Sequence, residues 1–127
     1  MKEFMFIIRN NNTNFSSLSP ADQEQFLQKC MIYINDLKKE GKLIAAQPLA
    51  REGKIISRPG GEWKETPFNE REEVQVGYYH LLANDLDEAI ALAKGNPEFE
   101  YGTTARIEIR PIKMKEQSTN YTYPAKA

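Results

Sequence analysis

GYYHLLANDLDEAIALAK, Gly77 to Lys94, followed by ARIEIRPI from Ala105 to Ile112, reads as a strand, a capped helix and a second strand with little slack between them. Val74 to Ala83 is apolar on both sides, with Tyr78 and Leu82 on one face and Tyr79 and Leu81 on the other. Such a strand belongs in the middle of a sheet. Asp85 and Glu88 stand at the spacing of a helix-capping pair. Leu86, Ala89, Ile90 and Ala93 then form an apolar stripe at helical period, and Gly95-Asn96-Pro97 ends the helix. In Ala105 to Ile112, Ile107 and Ile109 alternate with Arg106, Glu108 and Arg110, the pattern of a strand with one dry face.

Working outward, Phe4 to Ile8 is a short apolar run that gives way to the polar Asn10 to Asn14, a strand followed by a loop. Ser19-Pro20-Ala21-Asp22 announces a helix, with Ser19 as cap, proline in the first turn and an acid at the positive end. Phe26, Leu27, Cys30, Met31, Ile34 and Leu37 are predicted to make its buried stripe, and Gly41 its end. Lys42 to Leu49 reads as a strand. Lys54 to Trp63 reads as a small hairpin turning on Pro59-Gly60-Gly61 and leading into Glu65-Thr66-Pro67-Phe68. Residues 1–112 are thus one domain. The polar, aperiodic stretch 113–127 reads as a mobile tail or an arm laid on a partner.

The order strand, helix, strand, hairpin, strand, helix, strand is the split β-α-β pattern of ferredoxin-like α+β folds. It predicts that the first and third main strands are central, and we expect them to run parallel, with the second and fourth outside. Two helices cover one face of such a sheet. The other would leave aromatic and aliphatic side chains wet, at about 25 cal/mol per Å2 of apolar surface. A second copy, sheet against sheet with a cleft between, resolves this, so a homodimer is expected.

At 127 residues the chain has room for one core. Seventeen basic and 18 acidic side chains are scattered without a basic stripe, which argues against nucleic acid as a partner. The N-terminal apolar run is too short for a membrane span, so no membrane association is expected. A single cysteine excludes an internal disulfide and suits a reducing, cytoplasmic setting.

These residues also carry a resemblance. The FMFIIR opening, the helix ending in LKKEGKL, the AAQPLA strand, the hairpin into ETPF with its trailing NERE, then GYYHLLANDLDEAI and IEIRPI, together resemble the YCII-related family, in the branch named for its DGPF motif. The likeness spans roughly residues 1–112, and the tetrapeptide stands here as Glu65-Thr66-Pro67-Phe68. What it implies is a dimeric α+β barrel, in a superfamily that includes isomerases, monooxygenases and haem enzymes. Some members have a suggested acid/base pair, a histidine on the first helix and an aspartate before a proline near the end of the second. Those positions hold Cys30 and Asn96 here, so both halves are missing.

Each candidate residue has a plainer alternative. Cys30 as a nucleophile competes with a buried thiol filling space in mid-helix, far from any helix N-terminus. His80, the only histidine, as a general base competes with a hydrogen-bonded imidazole in a core or interface. One imidazole also leaves catalytic metal ligation without a ligand set, so neither metal nor cofactor is expected. Arg9, Arg106 and Arg110 gather on one side of neighbouring strands, where they would hold a carboxylate or phosphate, or else form a salt-bridge ladder with Glu108. Glu65, Phe68 and Tyr79 would border a pocket if the ETPF turn folds over the cleft mouth. Two functions stay open: a homodimeric module that binds a small, anionic ligand or serves a partner, and a small-molecule enzyme using Cys30 or His80.

Overall fold

The structure, a computed structural model, describes residues 1–68 and 72–124. In chain order the elements are β1 (Lys2–Asn11), α1 (Pro20–Lys39), β2 (Leu43–Pro48), β3 (Lys54–Ser57), β4 (Lys64–Pro67), β5 (Glu73–Ala83), α2 (Leu86–Lys94) and β6 (Arg106–Pro111). The main sheet has the order β2-β5-β1-β6, and β3 with β4 forms a separate hairpin. The ferredoxin-like α+β reading holds, with the first and third main strands in the middle.

Their direction differs from expectation. β1 and β5 are antiparallel, with Phe6 opposite Tyr79 and Phe4 opposite Leu81. The reason is topological. The crossover through α1 makes β1 and β2 point the same way, and the chain reverses through the hairpin before β5 enters between them. β5 is therefore antiparallel to both neighbours.

Burial alternates along the central strands. Phe4, Phe6, Ile8, Asn10, Tyr79, Leu81 and Ala83 turn under the helices and are buried. Met5, Ile7, Tyr78, His80 and Leu82 turn to the opposite, uncovered face and are half-buried. Small residues let α2 sit close: Ala83, Ala89 and Ala93 are all buried in the core. Gly77 serves a similar purpose within β5, beside the edge strand β2, where an added Cβ would lie 3.1 Å from the Gln47 carbonyl oxygen.

The caps form as their residues suggest. Ser19 Oγ accepts from the Asp22 N–H at 3.1 Å, and Asp85 Oδ1 accepts from the Glu88 N–H at 2.8 Å. Gly41, at φ 70°, takes the left-handed turn after α1. The Lys42 N–H then bonds back to the Leu37 carbonyl, which closes the helix end. Four local expectations need correction. On α1, Leu27 and Met31 are exposed, and Tyr33 joins Phe26, Cys30, Ile34 and Leu37 on the inner face. On α2, Leu86 is exposed and Leu92 packs inward. β1 runs on through Asn10 and Asn11, because Asn10 finds side-chain partners inside. The second hairpin strand is Lys64–Pro67 rather than Glu62-Trp63, so Glu65 to Pro67 of the ETPF segment lie in a ladder opposite Ile56 to Lys54.

Beyond β6, Met114 to Tyr123 folds on itself. Tyr123 N–H bonds the Met114 carbonyl at 2.9 Å, Lys115 bridges Thr122, and the rings of Tyr121 and Tyr123 meet edge to face. Among the described residues no helix is long and apolar enough to cross a membrane.

Candidate functional site

Two polar constellations lie on opposite faces of the sheet. The first is on the uncovered face. Arg106 sits opposite Arg9 in the register, and Glu108 and Arg110 follow along β6. Like charges side by side need acids between them, and the strands supply two. Arg106 donates to both oxygens of Glu73, Nε to Oε2 and Nη2 to Oε1, each at 2.7 Å. Arg9 donates to Glu108 Oε1 from Nη2 at 3.0 Å and from Nε at 3.2 Å, and its Nη1 lies 3.7 Å from Glu73 Oε1. Arg110 completes the row, 3.7 Å from Glu108 Oε2. The hydrogen bonds from Arg106 hold the Glu73 carboxyl below the usual range, with the charges of Arg106 and Arg9 adding to this. Of the two alternatives for these arginines, the ladder is the arrangement seen. It extends to Glu73, which sequence reasoning did not include.

Beside Arg9 the sheet meets the root of the hairpin. An open groove of about 570 Å3 lies between them, lined by Arg9, Leu49, Ile55, Phe68, Glu73 and Gln75 among others. Phe68 closes its floor by lying against Gly53. A Cβ at Gly53 would come within 2.8 Å of the Phe68 ring. The backbone there has φ 157°, a conformation that L side chains rarely adopt. Only glycine meets both conditions without strain. Arg9 and Phe68 are thus brought together. Glu65 is not in this group: it points to solvent from the hairpin and pairs with Lys54 at 3.2 Å. Tyr79 is on the other side of the sheet.

His80 also faces the uncovered side, between Ala45 and Met5 in the register. Its Nε2 lies 2.7 Å from Glu3 Oε1, and both side chains are about one-quarter exposed. Glu3 was not among the candidates. It is two residues from the Met5 that pairs with His80, a proximity set by the register between β1 and β5.

The second constellation lies under the helices. Tyr79 packs against Tyr33 at 5.5 Å and Phe6 at 6.4 Å between ring centres. Tyr33 donates its hydroxyl to the Leu92 carbonyl at 2.7 Å, and burial pushes its pKa up to about 12. Burial likewise raises Tyr79, with Cys30 and Tyr33 close enough to add to it. Asn96 is buried, and its Oδ1 caps the short turn Pro97–Glu100 by accepting from Glu98 N–H at 2.9 Å. Its Nδ2 is buried beside the two phenols, near enough to temper their rise but outside hydrogen-bonding geometry. Glu98 accepts from Asn10 Nδ2 at 2.9 Å, and burial raises its carboxyl pKa above the ordinary value. Asn10 Oδ1 in turn accepts from Thr104 Oγ1 at 2.6 Å and from Asn11 N–H at 2.8 Å. Asn10 was missed because a polar run after an apolar strand looks like loop, and Glu98 because it stands in the short turn after α2.

Cys30 borders this group from α1. Burial first, then the nearby Glu98 and Glu100 carboxylates, push its thiol to about 11. The shift from 9.0 to about 11 cuts the thiolate present at neutral pH roughly a hundredfold. We predict that iodoacetamide labels Cys30 at pH 7 far more slowly than a free thiol, with the rate climbing steeply toward pH 11. Labelling as fast as glutathione would contradict the burial argument. Among the described residues no group of three or more His, Cys, Asp or Glu side chains is placed to hold a metal ion.

Comparison with known proteins fits this architecture. No curated protein matches the chain at a significant level. The YCII-related domain, as defined across its family, matches residues 3–113, from the start of β1 to just past β6 and short of the folded tail, and the chain belongs to that family.

Proposed function

We propose that the protein is a homodimeric small-ligand-binding module of the DGPF branch, working in a reducing, cytoplasmic setting, with its ligand in the groove beside Arg9. The observation that carries this reading is the meeting of the arginine ladder with the groove. Arg9 and Glu73 of the ladder line the groove with Lys54 and Glu52, a balanced set, while the described ladder as a whole sets three guanidinium groups against two carboxylates and so leaves Arg9 in a row with one net positive charge. A ligand with one anionic group and an apolar body suits such a lining: the anion competes with Glu108 for Arg9, and the body rests on Phe68, Leu49 and Ile55. The uncovered face, with Met5, Ile7, Tyr78 and Leu82 only half-buried, supplies the surface for a second copy.

Native mass spectrometry of freshly purified protein is expected to show a dimer carrying a small acid. Leu82→Glu places a charge in the middle of the proposed interface and should give a monomer in sedimentation. Arg9→Gln should lower affinity for the co-purified acid at least tenfold, since charge-assisted bonds of this kind contribute about 1.5–3 kcal/mol. Unchanged binding by Arg9→Gln would remove the basis for this assignment.

A second reading, a small-molecule enzyme, is favoured by one observation, the Glu3 carboxylate 2.7 Å from His80 Nε2. A carboxylate hydrogen-bonded to one ring nitrogen fixes the orientation and tautomer of the imidazole, the arrangement a general base uses. Cys30 is disfavoured for that part by its raised thiol. On the enzyme reading His80→Gln abolishes turnover while the fold persists, whereas Cys30→Ala changes only packing, by about 1 kcal/mol or less.

A further inference from the structure

Among the described residues, no other element is paired with the hairpin of β3 and β4, which forms a sheet of its own. Every residue from Lys54 to Pro67 is exposed, including Ile55, Ile56 and Trp63, each more than half accessible. Two-stranded hairpins are marginal in water on their own. The internal ties among the described residues are the ladder itself, the Lys54–Glu65 pair, Arg58 stacked over Trp63 at 5.1 Å and donating to the Gly61 carbonyl at 3.1 Å, and two long backbone bonds at the tip. Among the described residues the anchoring is at the root, where Phe68 lies on Gly53 at the groove. That root is on the uncovered side of the sheet, since Arg9, Glu73 and Gln75 form the other wall.

We infer that this hairpin is an arm that lies on the uncovered face of a second copy, with Trp63 seated on the apolar row Met5, Ile7, Tyr78 and Leu82. The inference rests on the homodimer reading above and adds to it where the two copies grip one another. Reach supports the assignment. From Lys54 to the turn at Pro59 the arm extends roughly 17 Å at strand rise, whereas facing sheets sit about 10 Å apart. An arm rooted beside one sheet face is therefore long enough to cross the gap and overlap the partner. Two-fold symmetry makes the exchange mutual, so each groove is flanked by its own hairpin root and overhung by the partner's arm. A second copy is preferred to an unrelated protein because the exposed arm is rooted on the same side of the sheet as the half-buried face, and among the described residues each presents apolar surface that the other fits.

Trp63 is the only tryptophan, so its fluorescence reports the arm alone. The experiment is acrylamide quenching of the full chain, with sedimentation run at the same concentrations. The expected result is several-fold weaker quenching in the dimer than after dilution to monomer, with emission moving to longer wavelength on dilution. Leu82→Glu, as monomer, should match the diluted sample. A dimer in which Trp63 is as quenchable as free tryptophan would overturn the arm while leaving the dimer standing. Shielding that persists in the monomer would place the arm on its own protomer and also overturn it. Absence of any dimer would remove the homodimer reading itself.

Discussion

Replacing Phe6 with alanine is expected to remove about 3–5 kcal/mol of folding stability, the range for deleting a fully buried aromatic ring. Phe6 is 0% exposed at the centre of β1, beneath the helices and in the same rung as Tyr79. Its neighbours are poorly able to collapse into the space. Tyr79 is held between Phe6 and Tyr33, and Tyr33 is tied to the Leu92 carbonyl. The alanines of α2 are already at close approach and cannot reach further without moving the helix. Domains of this size have about 5–15 kcal/mol in total, so the variant should be partly unfolded near physiological temperature. Urea denaturation of wild type and variant, at equal protein concentration because a dimer shifts the midpoint, measures the loss. A change below about 1 kcal/mol, well under the range for such a deletion, would show that the core is organised around some other side chain.

The second large effect concerns Asn10 and Glu98. Asn10→Ala deletes the donor to Glu98 and the acceptor for Thr104 and the Asn11 N–H, all at a position 1% exposed. Unpaired buried polar groups cost about 1–3 kcal/mol each, so a loss of about 3 kcal/mol is expected. Glu98→Gln should act the other way at neutral pH, because it keeps an oxygen for Asn10 and removes a charge that burial opposes. The pH dependence follows from the raised carboxyl of Glu98. Between the ordinary carboxyl value of 4.5 and the higher folded value, the folded chain holds a proton that the unfolded chain has released. This group therefore favours folding fully below 4.5, and its contribution is lost as pH rises through the folded value. Glu73, Glu88 and Glu116 are shifted downward and act in the opposite sense, so the decisive quantity is the difference between two profiles. The melting temperature of Glu98→Gln minus that of wild type should be positive at pH 7 and shrink toward pH 4. A difference independent of pH would mean that the Glu98 carboxyl titrates alike in the folded and unfolded chains.

The contrast between what was legible and what was not has a physical pattern. Strand order could be read from side chains alone, since two-faced apolar strands must be central and Ile107 and Ile109 announce an outer one. Both caps could be read, because Ser19 and Asp85 act on N–H groups three residues away. Strand direction was not legible from β1 or β5 separately; it depends on how many times the chain reverses between them. The contact between Glu3 and His80 was not legible either, because it depends on the register between those two strands. The α1 face was misread because Leu27 and Met31 have the right period but the wrong phase, and Tyr33, with a polar tip to satisfy, is the residue that packs on Tyr79. Asn10 looked like loop because its partners, Glu98 and Thr104, are nearly a hundred residues away. The arginine ladder was anticipated on β6, while its bidentate acid, Glu73, comes from a strand two places across the sheet.

The interposition of β5 between β1 and β2 also constrains how the chain acquires its structure during synthesis. Lys2 pairs with Ala83 and Asn11 with Glu73, so every rung joining the two middle strands closes a loop of more than sixty residues. The first fifty residues contain two strands that never touch, each waiting for the same later partner. Nothing in that stretch can pair into the final sheet until β5, from Glu73 onward, has begun to leave the ribosome. Until then the nascent chain carries Phe4, Phe6 and Ile8 without their β5 neighbours, and non-local pairing of this kind is slow. Assembly of the sheet therefore begins only with the arrival of β5, which joins the two waiting strands, and is completed when β6 adds to the free edge of β1.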